Sequence, residues 1–256
     1  MEDQQSYTIL GSGKPLVFQH GLGANAQQII SLLDELQGVR LLTMDMPGHG
    51  HNKLDPSRPP SFNSYTDELI RIMDKAGIDR AAAGGLSMGS GIALNMAWRY
   101  PERVAGLILL RPAWHLSSHP KNLEVLLEVA RLLNKGEDEK LSAIPRVATM
   151  RREIPAAADS IMGLLNREQK EDTPEVLQRM VADKPLPGEP TDIMFPALVI
   201  GNDDDPLHPW EMAEAWHKLL PNSKLLKVPS RYTNPTGHKA EVTHAIQDFM
   251  NTITFN

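Results

Sequence analysis

Short apolar runs alternate along the chain with longer stretches in which apolar residues recur every three or four positions. "PLVFQ" (15–19), "VRLLTMD" (39–45), "RAAAGGLS" (80–87), "VAGLILL" (104–110), "ALVIG" (197–201) and "KLLKV" (224–228) have strand length and end in turn residues. Between most of them the spacing predicts helices, as in "ANAQQIISLLDELQG" (24–38) and "FNSYTDELIRIMDKAGI" (62–78). Strands that alternate with helices pair in parallel, with helices on both faces of the sheet. The unbroken apolar character of "AGLILL" and "LVIG" suits strands buried on both faces. The fold class is therefore α/β, with a mostly parallel central sheet flanked by helices.

One region departs from this rhythm. From 115 to 189 the pattern predicts only helices, in "NLEVLLEVARLLNKG", "EDEKLSAIPRVATMRR", "AADSIMGLLNR" and "PEVLQRMVADK", closed by the proline-rich "KPLPGEPTD". This reads as a helical cap inserted into a core made of residues 1–114 and 190–256. Long insertions in α/β proteins often lie over the site at the strand ends. A crossover serving stability alone is the alternative. "GSGKP" (11–15) has Pro15 where a phosphate loop needs Ser or Thr, and reads as the turn between the first two strands.

Composition narrows the function. The 256 residues are 41% hydrophobic, ample for one buried core, and the net charge of −6 argues against nucleic acid as a partner. With no cysteine there can be no disulfide, thiolate metal site or cysteine nucleophile. The N-terminal "MEDQQSYTILGSGKPLVF" lacks the basic patch and apolar core of a secretory signal. No apolar stretch approaches the ~20 residues of a membrane span. A cytoplasmic location is expected.

The chemistry gathers around "GGLSMGSGIAL" (84–94), where a strand of small residues turns into a helix. Gly85-Leu86-Ser87-Met88-Gly89 matches the nucleophile elbow G-x-S-x-G, in the strand-to-helix context the motif requires. The glycines suit either positive φ or close backbone approach, and Ser87 is the candidate nucleophile. A plain helix N-cap is the simpler role for it. "FQHGLGAN" (18–25) follows another strand, and there the backbone N–H of Leu22 is the candidate oxyanion donor beside that of Met88. His20 is expected to order that loop by hydrogen bonding.

A serine nucleophile needs a base, and the base needs an orienting carboxylate. Among 9 histidines His238, in "NPTGHKAEVTHAIQDFM", stands after the last strand, in the loop expected before the final helix. His244 falls within that helix. His49, His51, His115 and His119 lack a matching cluster for a metal, so no metal is expected. "LVIGNDDDPLHPWEMAEAW" (198–216) offers three aspartates past a strand end. Asp205 is preferred because Pro206 and the "PLHP" turn fix its direction, with Asp204 next and Asp203 third. An Asx turn capping the next helix is the alternative for these aspartates.

The order "HGLG", "DMPGHGHN", "GLSMG", "GNDDDPLHP" and "GH" resembles the α/β-hydrolases over nearly the whole length. The resemblance implies Ser87 as nucleophile, Asp205 as acid and His238 as base, with oxyanion donors at Leu22 and Met88. It places the helical cap between the sixth and seventh strands of the family's sheet. Asn52 stands where many relatives carry serine, and "VPSRYTNPTGH" (228–238) is longer than the usual loop before the family's histidine. The implied activity is hydrolysis of a carboxylic ester, thioester or lactone through an acyl-enzyme, on a small-molecule acyl substrate and without a cofactor. A carbon–carbon bond hydrolase, a cofactor-free perhydrolase and a ligand receptor on the same fold are the alternatives. Trp114, Met150, Ile161, Met162, Leu164 and Leu165 are candidates for an apolar pocket, and Arg151 and Arg152 for meeting a negative charge.

Overall fold

The computed structural model describes residues 7–166, 169 and 171–255. Its strands are β1 (Tyr7–Leu10), β2 (Lys14–Gln19), β3 (Val39–Met44), β4 (Ala81–Leu86), β5 (Val104–Leu110), β6 (Ala197–Gly201) and β7 (Ser223–Lys227). They form one sheet in the order β1-β3-β2-β4-β5-β6-β7. Only β1 runs antiparallel to its neighbour; β2 through β7 are parallel. The helices are α1 (Ala26–Leu33), α2 (Phe62–Lys75), α3 (Met88–Arg99), α4 (Glu124–Lys135), α5 (Pro145–Glu153), α6 (Pro155–Met162), α7 (Thr173–Ala182), α8 (Trp210–Leu219) and α9 (Pro235–Thr252).

The two-residue period of the strands sorts the core into two layers. Val17, Leu42, Ala83, Leu109 and Val199 face α2 and α3, joining Leu69, Met73, Ile92 and Met96. Their neighbours Leu16, Phe18, Leu41, Ile108 and Ile200 face α1 and α9, joining Ile29, Leu33, Val242 and Ile246. Each of the larger side chains contributes roughly 1.5–3 kcal/mol when fully buried. Strands clad on both faces are therefore held firmly, and so are the loops that leave them. Ser61 starts α2 with a reciprocal cap: its hydroxyl accepts from the Ser64 N–H at 3.0 Å, and the Ser64 hydroxyl accepts from the Ser61 N–H at 3.0 Å.

Between β5 and β6 the regular elements among the described residues are all helices, with α4 packed on α7 and α5 on α6. The resemblance put this insertion between sixth and seventh strands; in this seven-stranded sheet it separates the fifth and sixth. Leu126, Val129, Ile161 and Leu177 belong to the same apolar cluster as Met96 and Leu109, so the insertion shares its core with one face of the sheet. No helix among the described residues is long and apolar enough to cross a membrane.

Parallel pairing brings the carboxyl ends of β2, β4, β5, β6 and β7 to one edge of the molecule. The loops after them carry Leu22, Ser87, Arg111, Asp205 and Arg231 respectively. Open α/β sheets bind ligands at that edge.

Candidate active site

Ser87 joins β4 to α3 with φ 57° and ψ −109°. Such a backbone costs a non-glycine residue on the order of 1–3 kcal/mol and persists only where the surroundings enforce it. Here the Ser87 N–H donates to the Leu110 carbonyl at 3.0 Å, and the Ser87 carbonyl accepts from the Ser90 N–H at 3.0 Å. The flanking glycines serve close approach. A Cβ on Gly85 would collide with the Gly89 backbone, and a Cβ on Gly89 with the Gln19 carbonyl. The Ser87 hydroxyl makes no helix-capping bond.

That hydroxyl donates instead to Nε2 of His208 at 2.8 Å, and Nδ1 of His208 lies 2.8 Å from Oδ1 of Asp205. All three residues are buried. Two bare acceptors would repel at 2.8 Å, so Nδ1 carries the proton toward the ionised carboxylate. Nε2 is thereby left free to accept from Ser87. The turn "DPLH" builds this pair from four residues, because the Asp205 carbonyl also accepts from the His208 N–H at 3.1 Å. A sharp turn of this kind lays the imidazole of the fourth residue against the carboxylate of the first.

The base expected from the sequence, His238, occupies another place, and that expectation is corrected here. Helix α9 begins at Pro235, so His238 lies in its first turn rather than in a loop before it. Its Nδ1 donates to the Pro229 carbonyl at 2.8 Å, and among the described residues it makes no hydrogen bond to Ser87 or Asp205. Of the three aspartates, Asp205 is buried, while Asp203 and Asp204 are exposed. Asp203 pairs with Lys227 at 2.8 Å, and Asp204 supports the turn in a left-handed conformation with φ 54°.

Nothing in the sequence marks Arg111, at the end of β5, as part of a site. It is buried, and its Nε donates to Oδ2 of Asp205 at 2.8 Å while Nη2 approaches the same oxygen at 2.5 Å. Burial by itself would raise the Asp205 pKa; Arg111 and then His208 outweigh it and hold the carboxyl well below the usual range. Nη2 also lies 3.0 Å from Nδ1 of His208. With the proton on Nδ1 this is a contact between two donors. Burial foremost, and Arg111 with it, lowers the His208 pKa against the upward pull of Asp205. The ring is thus neutral at pH 7, the form a general base requires.

The backbone N–H groups of Leu22 and Met88 have no hydrogen-bond partner among the described residues. Gly21 N–H is occupied by Gln28 Oε1 at 2.9 Å. A cavity of about 310 Å³ opens on Leu22, Ser87 and His208, walled by Trp114 from the loop after β5 and by Leu126, Ile161 and Leu164 from the insertion. Trp114, Ile161 and Leu164 are expected there from the sequence. Met150 is core and does not line the cavity, and Arg151 pairs with Asp159 at 2.5 Å.

Residues 14–138 match the sequence model of the alpha/beta hydrolase fold. Lipase 3 of Moraxella sp. is 25% identical over 247 residues, covering 94% of this chain and 76% of that one. 2-Hydroxymuconate semialdehyde hydrolase of Pseudomonas putida is 23% identical over 251 residues, 92% of this chain and 84% of its own. The crystal structure of the enol-lactonase from Burkholderia xenovorans LB400 superposes with a TM-score of 0.75 at 22% identity, covering 96% of this chain and 95% of that one. Residues 14–138 carry the sequence pattern of the α/β-hydrolases, and the fold is theirs over nearly the whole chain.

The hydrolase fixes its first strand-end loop with His20, whose Nε2 accepts from the Met46 N–H at 3.0 Å and whose Nδ1 donates to the Gly21 carbonyl at 2.9 Å. Asp45 orders the neighbouring "GHGHN" turn, accepting from the His51 N–H at 2.9 Å, and the Asn52 amide donates to the Asp45 carbonyl at 2.9 Å. Asn52 therefore fills a structural position.

His238 also gives the hydrolase a testable acid response. Burial is the main cause pushing its pKa down to about 4, with Arg111 and Arg231 adding to the effect and the Pro229 carbonyl opposing it. Its unfolded pKa is ~6.5. Between those values the unfolded chain holds a proton that the folded one refuses, so stability is full above ~6.5 and falls as pH drops toward about 4. His208 acts with the same sign. Unfolding free energies from urea titrations between about pH 7 and about pH 5 are expected to show this decline, and His238→Asn to reduce its slope by at most about 1.4 kcal/mol per pH unit. An unchanged slope would contradict the burial of a neutral ring.

Proposed function

We propose that this hydrolase cleaves a carboxylic ester, thioester or lactone through an acyl-enzyme on Ser87. The observation that carries the reading is the unbroken hydrogen-bond chain from the Ser87 hydroxyl through His208 to Asp205, open to one cavity. In this scheme Ser87 Oγ attacks the substrate carbonyl carbon as its proton passes to Nε2 of His208. The negative charge on the substrate oxygen is held by the Leu22 and Met88 N–H groups, each contributing ~3 kcal/mol of transition-state stabilisation. The first helical turn of α3 adds its positive end. Asp205 stabilises the imidazolium, which then protonates the leaving oxygen or sulfur as the carbonyl re-forms. Water, deprotonated by the same imidazole, attacks the acyl-enzyme and releases the acid and free Ser87. The insertion acts as a cap, its apolar side chains forming the far wall of the acyl pocket.

The lipase relative and the enol-lactonase fold neighbour agree with carboxylic esters and lactones as substrates. The relative named as a hydrolase of 2-hydroxymuconate semialdehyde supports a second reading, in which the same three residues split a carbon–carbon bond next to a carbonyl. Intact mass after treatment with a fluorophosphonate tests the nucleophile. One adduct is expected on the wild-type chain and none on Ser87→Ala. A folded wild type that stays unlabelled would overturn the proposal.

A further inference from the structure

The cavity at Ser87 carries one formal charge that the reaction just described does not use. Arg231, in the loop between β7 and α9, lines the same cavity as Ser87 and His208. Its guanidinium is only partly exposed, and burial is the main cause lowering its pKa from the ordinary value. No Asp or Glu lines the cavity among the described residues. The nearest buried carboxylate is already engaged: Asp205 Oδ1 accepts from His208 and Oδ2 from Arg111. Arg231 has no hydrogen bond or ion pair among the described residues. It lies against the ring of Tyr232, whose centroid is 5.0 Å from Cζ.

A guanidinium withdrawn from water without a counter-charge is costly, and an aromatic face offsets only part of that cost. Its planar fork of N–H donors matches a carboxylate in shape and charge. One guanidinium supplies one positive charge, which suits a carboxylate monoanion better than a phosphate dianion. The remaining wall, with Trp114, Leu126, Ile161, Leu164 and Leu177, is hydrocarbon.

We propose that the substrate carries a free carboxylate, separated by a short apolar spacer from the bond that is broken, and that Arg231 binds this carboxylate. The inference rests on the reading of Ser87 as an acyl-transfer nucleophile and names the substrate class of that site. Half-esters of linear dicarboxylic acids are the simplest members of the class. Arg231 is a specificity residue, remote from the proton transfers.

The test compares kcat/KM for monomethyl adipate with that for methyl hexanoate, which lacks the charge. The wild type is expected to favour the half-ester, and Arg231→Gln to lower the ratio of the two by about 10- to 100-fold, the size of a charge-assisted hydrogen bond. Arg231→Lys, which keeps the charge but not the fork, should retain part of the preference. A wild-type ratio below one, or an equal ratio in wild type and Arg231→Gln, overturns the proposal. Calorimetric titration of hexanoate into Ser87→Ala, with and without Arg231→Gln, reads the same site without turnover. A loss of affinity of about 10-fold or more is expected, and equal affinity counts against the site. Should neither ester turn over and no fluorophosphonate adduct form, the acyl-transfer reading fails, while the titration still decides whether Arg231 holds a carboxylate.

Discussion

His208→Gln is expected to lower kcat/KM for a carboxylic ester by about 10⁴-fold, the upper range of what a positioned general base contributes. Glutamine keeps much of the side-chain volume but cannot take a proton from Ser87. The same variant should lose fluorophosphonate labelling, because the hydroxyl 2.8 Å away is no longer activated. His238→Asn is the matched comparison. Its amide keeps a donor for the Pro229 carbonyl, and ester turnover should fall less than ~10-fold, since the ring it replaces accepts nothing from Ser87. Reversed results would return the base to His238. In the wild type the acidic limb of kcat/KM should have its midpoint below ~6.5, the ordinary histidine value, because burial lowers the His208 pKa.

Arg111→Met should cost about 3–5 kcal/mol of stability, the usual penalty when one partner of a buried ion pair is removed. The guanidinium and the Asp205 carboxylate have side-chain exposures of 1% and 0%, so water cannot replace the lost partner. The double variant Arg111→Met, Asp205→Asn removes both charges and should be less destabilised than Arg111→Met alone, which would measure the coupling directly. The sign of the pH response also follows. The depressed pKa of Asp205 contributes stability above its unfolded value of ~3.9, and that contribution is lost as pH falls below it. The deficit of Arg111→Met is therefore largest near neutrality and narrows below pH ~4. Chemical denaturation at about pH 7 and about pH 3.5 measures both. A neutral-pH loss under about 1 kcal/mol would mean that the carboxylate is held by something other than Arg111.

Much of this site is legible in the order of the residues alone. Ser87 stands out because local rules act within a few residues: a small-residue strand, a helical pattern after it, and glycines on both sides. The positions of Leu22 and Asp205 follow from the same logic of strand ends. His208 is less visible, although "DPLH" places it three residues after Asp205. Read as a turn, the motif suggests only that Asp205 is fixed in direction. That the fourth residue returns its ring to the carboxylate, and that this ring reaches a serine 121 positions away, depends on how β4 and β6 align across β5.

The sequence by itself determined the α/β class, the parallel strands, the helical segment between β5 and β6, and the serine at the corner before α3. Each of these arises from periodicity or from backbone sterics among near neighbours. Only the tertiary structure decided which histidine faces Ser87, because α9 starts early enough to draw His238 into its first turn while the β6–α8 turn presents His208. It also decided the fates of two arginines. Arg111 is buried on Asp205, and Arg231 faces the cavity without a partner among the described residues. A side chain's charge is written in the sequence, but its burial and its counter-charge are set by chain segments far apart in sequence, and those are what turn an arginine into a structural clamp or a binding group.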